Sequence, residues 1–328
     1  MDDASLTIWE APFAITPTRS DIAAAARRIA GHARRTPLLN APLLDREAGR
    51  RVWVKAENLQ LTGSFKFRGA FATISGLSEA QRRQGVIAFS SGNHAQGVAH
   101  AAALHGVPAV IVMPDDAPAV KIENTRAYGA EVVLYQRGSN DRDEIGTRIA
   151  QERGLTLIKP FDDARVIAGQ GTCGLEIAED MPDGVQEVLV CCGGGGLTSG
   201  IALAVGDAAT VRPVEPEGYD DVARSLASGD RERNAQEAGG LCDAILTPMP
   251  GDLTFGVMSR HCGAGVVVSE REALQAMAAA WRHLRIVLEP GGAVALAAAL
   301  FREGPDCVAV ASGGNVDRSV FEQALAHG

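Results

Sequence analysis

The sequence is poor in the features that tie a chain to metal clusters, membranes or nucleic acid. Six cysteines stand at positions 173, 191, 192, 242, 262 and 307, yet no C-x-x-C occurs and no histidine lies at zinc-site spacing from any pair. A role as small buried hydrophobes is expected, and vicinal Cys191 and Cys192 close an apolar run. No apolar stretch approaches 18 uninterrupted residues, which leaves no candidate membrane helix. The opening, MDDASLTIWEAP, carries neither a basic region nor a long apolar segment, so a cytoplasmic protein is expected. A net charge of −9 argues against nucleic-acid and anionic-membrane partners, although a locally positive site for an anionic small molecule stays compatible with it. Solenoid-period repeats and low-complexity tracts are missing, and the glycine run at 193–196 carries neither a Walker Lys-Ser/Thr nor a dinucleotide G-x-G-x-x-G.

What is present is glycine, 37 residues in 328, in a chain that is 46% hydrophobic but only 5% aromatic. That length and composition suit two domains or one large α/β body with tight turns. Period-2 and apolar runs predict strands at 51–55, 86–89, 109–113, 131–135, 187–191, 211–215, 266–269 and 307–311. Helical patterns lie between them at 93–104, 119–128, 142–153, 198–206, 270–284 and 291–301. A first helix is expected to open at Ser20-Asp21 and stop at Thr36-Pro37. Alternation of this kind implies mostly parallel sheets with right-handed crossovers. The expected partition is a large domain of 1–83 and 155–328 with a small α/β domain, 84–154, inserted.

Three of the apolar strands run into glycine-rich turns and then helices: GVIAFSSGNHAQG, EVLVCCGGGGLTSG and CVAVASGGNVD. Ligands of open α/β sheets bind outside the carboxyl ends of strands, so these turns are candidates to share one cleft. Four glycines before a helix let backbone N–H groups approach a phosphate without Cβ obstruction, though plain turns look the same. Between Glu57 and Ala70 runs ENLQLTGSFKFRGA, with Lys66 at its centre; alone, such a lysine reads equally as a solvated helix-start residue.

The segment closely resembles the Schiff-base lysine motif of fold-type II pyridoxal-phosphate enzymes, the threonine/serine dehydratase and serine racemase family that includes 3-hydroxyaspartate dehydratases. The resemblance is collinear from about Arg35 to Asp317. It takes in Thr36-Pro37-Leu38, KAENLQLTGSFKFRGA, SSGNHAQGVAHAA, AGQGT, GGGGL, EPGGA and SGGNVD. It implies the tryptophan synthase β-like fold, with two open, mostly parallel sheets and the cofactor in the cleft between lobes.

The same resemblance implies roles. Lys66 would hold pyridoxal 5'-phosphate and act as base at the substrate Cα. Gly193, Gly194, Gly195, Gly196 and the Leu197 amide would hold the phosphate, Asn93 would meet the ring's 3-hydroxyl, and Ser312 would face the pyridine nitrogen. A neutral hydroxyl there favours a pyridinium less than a carboxylate does, which suits β-elimination over aminotransfer. Ser90, Ser91, Asn93 and His94 would take the substrate α-carboxylate, with capping or packing as the alternative for His94. Ser91 matches a serine that in serine racemase stands opposite the lysine, which permits racemisation as a side activity. Glu215, the Tyr219 carbonyl and Asp221 match a site for Mg2+ (or Ca2+/Mn2+), against the alternative of a solvated acidic loop. A homodimer is expected.

Two departures bear on substrate. Asp243-Ala244 stands where the family has Asp-Gly. Arg142, in GSNDRDE, falls where racemases and 3-hydroxyaspartate dehydratases carry an arginine for a distal carboxylate. If Arg142 enters the cleft, 3-hydroxyaspartate is the substrate and oxaloacetate the product; if it faces water, L-threonine and L-serine are. The short stretch after SGGNVD leads us to expect a catabolic or specialised enzyme rather than an allosterically inhibited one. A β-replacement synthase shares the fold, but its substrate loop has Thr-Gly after the asparagine, where this chain has His94-Ala95. A non-catalytic carrier would lack the substrate donors.

Overall fold

A computed structural model describes residues 8–9, 15–117, 119–136, 142–236 and 239–327, without the side chains of residues 119, 120, 142 and 143. Its ten strands are β1 (Leu38–Leu39), β2 (Val52–Ala56), β3 (Val86–Phe89), β4 (Ala109–Pro114), β5 (Glu131–Tyr135), β6 (Thr156–Leu157), β7 (Glu187–Cys191), β8 (Thr210–Pro216), β9 (Val266–Val268) and β10 (Cys307–Ala311). They form a six-stranded sheet of order β1-β2-β10-β7-β8-β9 and a four-stranded sheet of order β5-β4-β3-β6. Only the β1–β2 pair is antiparallel. Every residue of β7 and β10 is buried, as the unbroken Val/Ala/Leu/Cys runs require of parallel strands covered on both faces. The strand at 156–157 joins the smaller sheet from just beyond the boundary expected at 154.

The helix Ala164–Asp180 was not anticipated, and it is central. Its glycines are places of close approach. A Cβ on Gly169 would meet the Gly69 Cα at 2.7 Å, one on Gly171 the Gly200 carbonyl at 2.8 Å, and one on Gly174 the Ile201 Cα at 2.8 Å. Three helices thus cross at backbone contact, which fixes the helix that begins at Lys66 (Lys66–Ser75) against the core.

Two expected boundaries move. The first helix is Arg19–Ile29, capped by Thr18 rather than Ser20, and ends where Ala30 leaves helical geometry and Gly31 takes φ +78°. The 270–284 helix is α-helical only to Ala279; a π turn spans Ala280–Leu284 and Arg285 adopts φ 58°. Among the described residues no helix is long and apolar enough to cross a membrane.

Candidate active site

The carboxyl ends of β3 and β7 open on one cleft of about 660 Å³, lined by Lys66, the 90–94 turn, the 193–197 loop, residues 157–162 and residues 243–252. Backbone lacing brings distant segments to it. The Phe65 N–H donates to the Ser312 carbonyl at 3.1 Å, the Gly314 N–H to the Gly63 carbonyl at 3.0 Å and the Glu289 N–H to the Gly313 carbonyl at 3.1 Å. Lys66 therefore sits beside the 312–315 turn although the two lie some 250 residues apart in sequence.

Lys66 is enclosed, and its Nζ donates to the Pro160 carbonyl at 2.8 Å. Burial lowers its pKa to about 8, with nearby Cys191 and Glu289 opposing the drop. Such an amine exchanges a proton near neutral pH, which an exposed lysine does not.

The tetraglycine loop is a cradle that side chains would fill. A Cβ on Gly193 would meet the Ile245 carbonyl at 2.8 Å, one on Gly194 the Phe161 ring at 2.4 Å, and one on Gly196 the Phe161 Cα at 3.0 Å, while Gly195 takes φ +90°. The helix Gly196–Val205 starts here with no side-chain cap, so its first amides and positive end face the cleft. Thr254 braces the loop by donating its hydroxyl to the Gly194 carbonyl at 2.6 Å. The donor set fits a single phosphate.

Ser312 is 3% exposed and sits next to Cys191, which lines the cleft. Burial pushes the Cys191 thiol up to about 12, against the Ser312 hydroxyl hydrogen-bonded to it, so that corner is neutral. Ser90 and Ser91 stand on the rim at the start of the helix Asn93–Leu104. His94 is buried with Nε2 2.9 Å from the Ile158 carbonyl; burial and then Lys66 lower its pKa to about 3, leaving a neutral ring whose N–H serves Ile158. Its cationic form is not available to a carboxylate.

Sequence reasoning missed Glu289, whose carboxyl lines the cleft and accepts from Asn93 Nδ2 at 2.6 Å. Burial raises it to about 7, with Asn93 opposing. EPGGA reads as a helix start; the signal that Glu289 faces inward is that it caps nothing with its side chain. Lys121 also escaped notice. It pairs at 3.4 Å with Asp243, beside Ala244, and all three line the cleft. Arg142 begins the helix Arg142–Arg153; its side chain lies outside the described residues. One turn on, Gly146 abuts Phe89 of the cleft wall, where an added Cβ would fall inside the ring.

The acidic trio lies apart, behind β8. Glu215 accepts from the Val222 N–H at 2.9 Å and the Ala223 N–H at 2.7 Å. Asp221 accepts from Asn234 Nδ2 at 2.6 Å, and its other oxygen is buried without a hydrogen bond. Burial and Asp221 hold Glu215 well above the usual carboxylate range, and burial raises Asp221 to about 6 against the Asn234 bond. Among the described residues no group of three or more His, Cys, Asp or Glu side chains could hold a metal. Two carboxylates, one of them with an unpaired oxygen, and the Tyr219 carbonyl are oxygen donors of the kind a hard divalent ion takes.

Residues 29–313 match the family described as pyridoxal-phosphate dependent enzymes. The chain belongs to that family. It is 43% identical to an L-threo-3-hydroxyaspartate ammonia-lyase from a Pseudomonas species, over 93% of this chain and 97% of the other. It is 41% identical to an L-threonine ammonia-lyase from Thermotoga maritima, over 95% and 79% respectively. The solved structure of maize serine racemase superposes with a TM-score of 0.89 at 34% identity, covering 95% of this chain and 98% of that one. The fold-type II architecture read from the sequence is thereby established.

Proposed function

We propose that the chain is an ammonia-lyase that removes water from a β-hydroxy amino acid and releases a 2-oxo acid and ammonia. The observation that carries this is the enclosed Lys66 amine, with a pKa of about 8, beside a tetraglycine cradle and a neutral Ser312–Cys191 corner. Pyridoxal phosphate, when bound, supplies an electron sink for charge developing at the substrate Cα. Lys66 takes the Cα proton; its depressed pKa leaves a useful fraction unprotonated at neutral pH. The amides of Gly193, Gly194, Gly195, Gly196 and Leu197 hold the phosphate, Asn93 holds the ring hydroxyl, and Ser312 meets the ring nitrogen without adding charge. Ser90 and Ser91, at the positive end of a helix, take the α-carboxylate. His94 fixes that turn through Ile158. Residues 157–162 keep water from the amine, with the Pro160 carbonyl as its resting partner.

L-threonine and L-serine are the primary substrates of this reading. A second reading is L-threo-3-hydroxyaspartate, giving oxaloacetate, and the identity with the Pseudomonas enzyme favours it. In that case Arg142, on a helix that abuts the cleft wall at Gly146, receives the distal carboxylate. Ser91 permits racemisation on the same site. Glu215, the Tyr219 carbonyl and Asp221 hold a structural Mg2+ or Ca2+, away from the chemistry. We further propose a cytoplasmic homodimer with 84–154 as a small α/β domain inserted into the larger one.

The deciding assay follows 2-oxo acid from L-threonine, L-serine and each 3-hydroxyaspartate stereoisomer, with and without EDTA. Release from at least one is expected. Efficient cysteine formation from O-acetylserine and sulfide, without 2-oxo acid, would replace the lyase by a synthase. Lys66→Ala should lose both the visible absorbance of bound cofactor and turnover; turnover that survives sinks the assignment of the base.

A further inference from the structure

Thr62 and Arg285 are the non-glycine residues with left-handed backbone among the described residues, and Thr62 stands four positions before Lys66. Its φ of 60° is followed by +74° at Gly63. A β-branched residue adopts this conformation at a cost that the surroundings must repay. The Thr62 hydroxyl repays nothing, because it is buried without a partner. Its carbonyl does: Asn315 Nδ2 donates to it at 2.8 Å. Gly63 must be glycine for the same contact, since a Cβ there would fall 2.4 Å from Asn315 Oδ1.

Asn315 Nδ2 has a second acceptor, Asn93 Oδ1, at 2.7 Å. Its direction is not arbitrary. A main-chain carbonyl can only accept, so the Asn315 atom facing Thr62 is the nitrogen, and its two hydrogens serve Thr62 and Asn93. Asn93 must then present oxygen to Asn315 and nitrogen to Glu289, which accepts at 2.6 Å. The second hydrogen of Asn93 Nδ2 is used by no described protein group. One strained carbonyl thus orients two amides in series, across three segments that meet only in the fold.

We propose that Asn315 is a positioning residue of the cofactor site: anchored on the Thr62 carbonyl, it locks the Asn93 amide so that its nitrogen faces both Glu289 and the cofactor. The inference rests on the reading above that Asn93 meets the cofactor ring. Without Asn315 the amide can turn over and set its oxygen against the Glu289 carboxyl, two acceptors face to face. Glu289 would then hold its proton to higher pH. The charged groups around it, Lys66, Lys121 and Asp243, stay as they are, so a shift reports the amide alone.

The test compares the wild type with Asn315→Ala, the uncharged, near-isosteric Asn315→Leu, and Asn58→Ala as a control. Asn58 donates to the Val287 carbonyl at 3.1 Å in the same corner but is outside the relay. Each protein is loaded with pyridoxal phosphate, and its visible absorbance is titrated from pH 5 to 9 beside kcat, KM and the melting temperature. For both Asn315 variants we expect a displaced absorbance maximum or a pH midpoint moved by half a unit or more. We also expect about a tenfold loss of kcat, the scale of one hydrogen bond in a closed site. Asn58→Ala should lower the melting temperature and leave the spectrum unchanged. Asn315 variants whose spectra and midpoints match those of Asn58→Ala overturn the proposal, whatever their stability, and if Asn315→Ala does not fold, Asn315→Leu decides alone. A wild type that takes up no cofactor removes the functional reading itself, a result separate from any difference between variants.

Discussion

Two clusters of buried carboxylates lie on either side of the large sheet, and they are balanced in opposite ways. In the first, Glu57 and Glu176 face Arg68 and Lys55. Arg68 bonds both acids at 2.7–2.9 Å through Nε, Nη1 and Nη2, and Lys55 meets Glu176 at 2.6 Å. Burial alone would raise Glu57, but Arg68 and the Thr36 hydroxyl hold it below the usual carboxylate range. In the second, Glu215 and Asp221 have amides for partners and, among the described residues, no cation bonded to either, although Arg224 lies near Asp221, and both are raised. Two acids with two bases make a closed unit that stiffens the helix starting at Lys66. Two acids without a base make a site that is complete only with a proton or a metal ion.

The largest effect should come from opening the closed unit. Arg68→Met leaves Glu57 and Glu176 with one cation, and we expect a loss of about 3–5 kcal/mol in urea unfolding, the usual consequence of stranding a buried charge. A loss below about 1 kcal/mol would mean that the unit is not closed. Next comes the cation. Mg2+ or Ca2+ at about a hundred times its dissociation constant should add about 2.7 kcal/mol of stability, read as a rise in melting temperature over EDTA-treated protein. Glu215→Gln and Asp221→Asn should each erase that rise, and a wild type indifferent to both ions would leave protons as the cluster's only partner.

The two clusters should also tilt stability with pH in opposite senses. A carboxyl whose pKa is raised on folding binds its proton more firmly in the native state. The contributions of Glu215 and Asp221 are therefore fully present below their unfolded values and lost as pH rises, that of Asp221 through about 6. Glu57, lowered on folding, contributes above the unfolded value and loses that as pH falls through its native one. Metal-free protein should thus show a melting temperature that declines between pH 5 and 7, and a saturating divalent ion should flatten the decline. Smallest of all is the exposed pair Arg318–Glu322, where Arg318→Ala should cost less than about 0.5 kcal/mol, marking the floor against which the buried clusters are judged.

The strands were legible because each is a short β-branched or aliphatic run bounded by glycine or charge. Those at 86–89, 131–135, 187–191 and 307–311 fall on the expected residues. Lys66 and the glycine loop were legible as types of residue in an order. The helix Ala164–Asp180 was hidden by its own glycines: locally Gly169, Gly171 and Gly174 disfavour a helix, and only the neighbours that press against them explain why they are there. Glu289 and Asn315 were hidden for another reason. Their importance is a matter of which atom faces which, and side-chain direction across 196 and 222 residues of separation leaves no periodic trace.

The last strand, β10, is inserted between β2 and β7 in the middle of the sheet, and the turn after it is stitched to the residues around Lys66. During synthesis, then, the lysine emerges from the ribosome early but has no pocket until nearly the whole chain has followed. β2 and β7 cannot close on each other in the meantime without excluding the strand that belongs between them. The fold therefore defers the pocket around Lys66 until β10 has taken its place between β2 and β7, which makes cofactor uptake a readout of that late pairing.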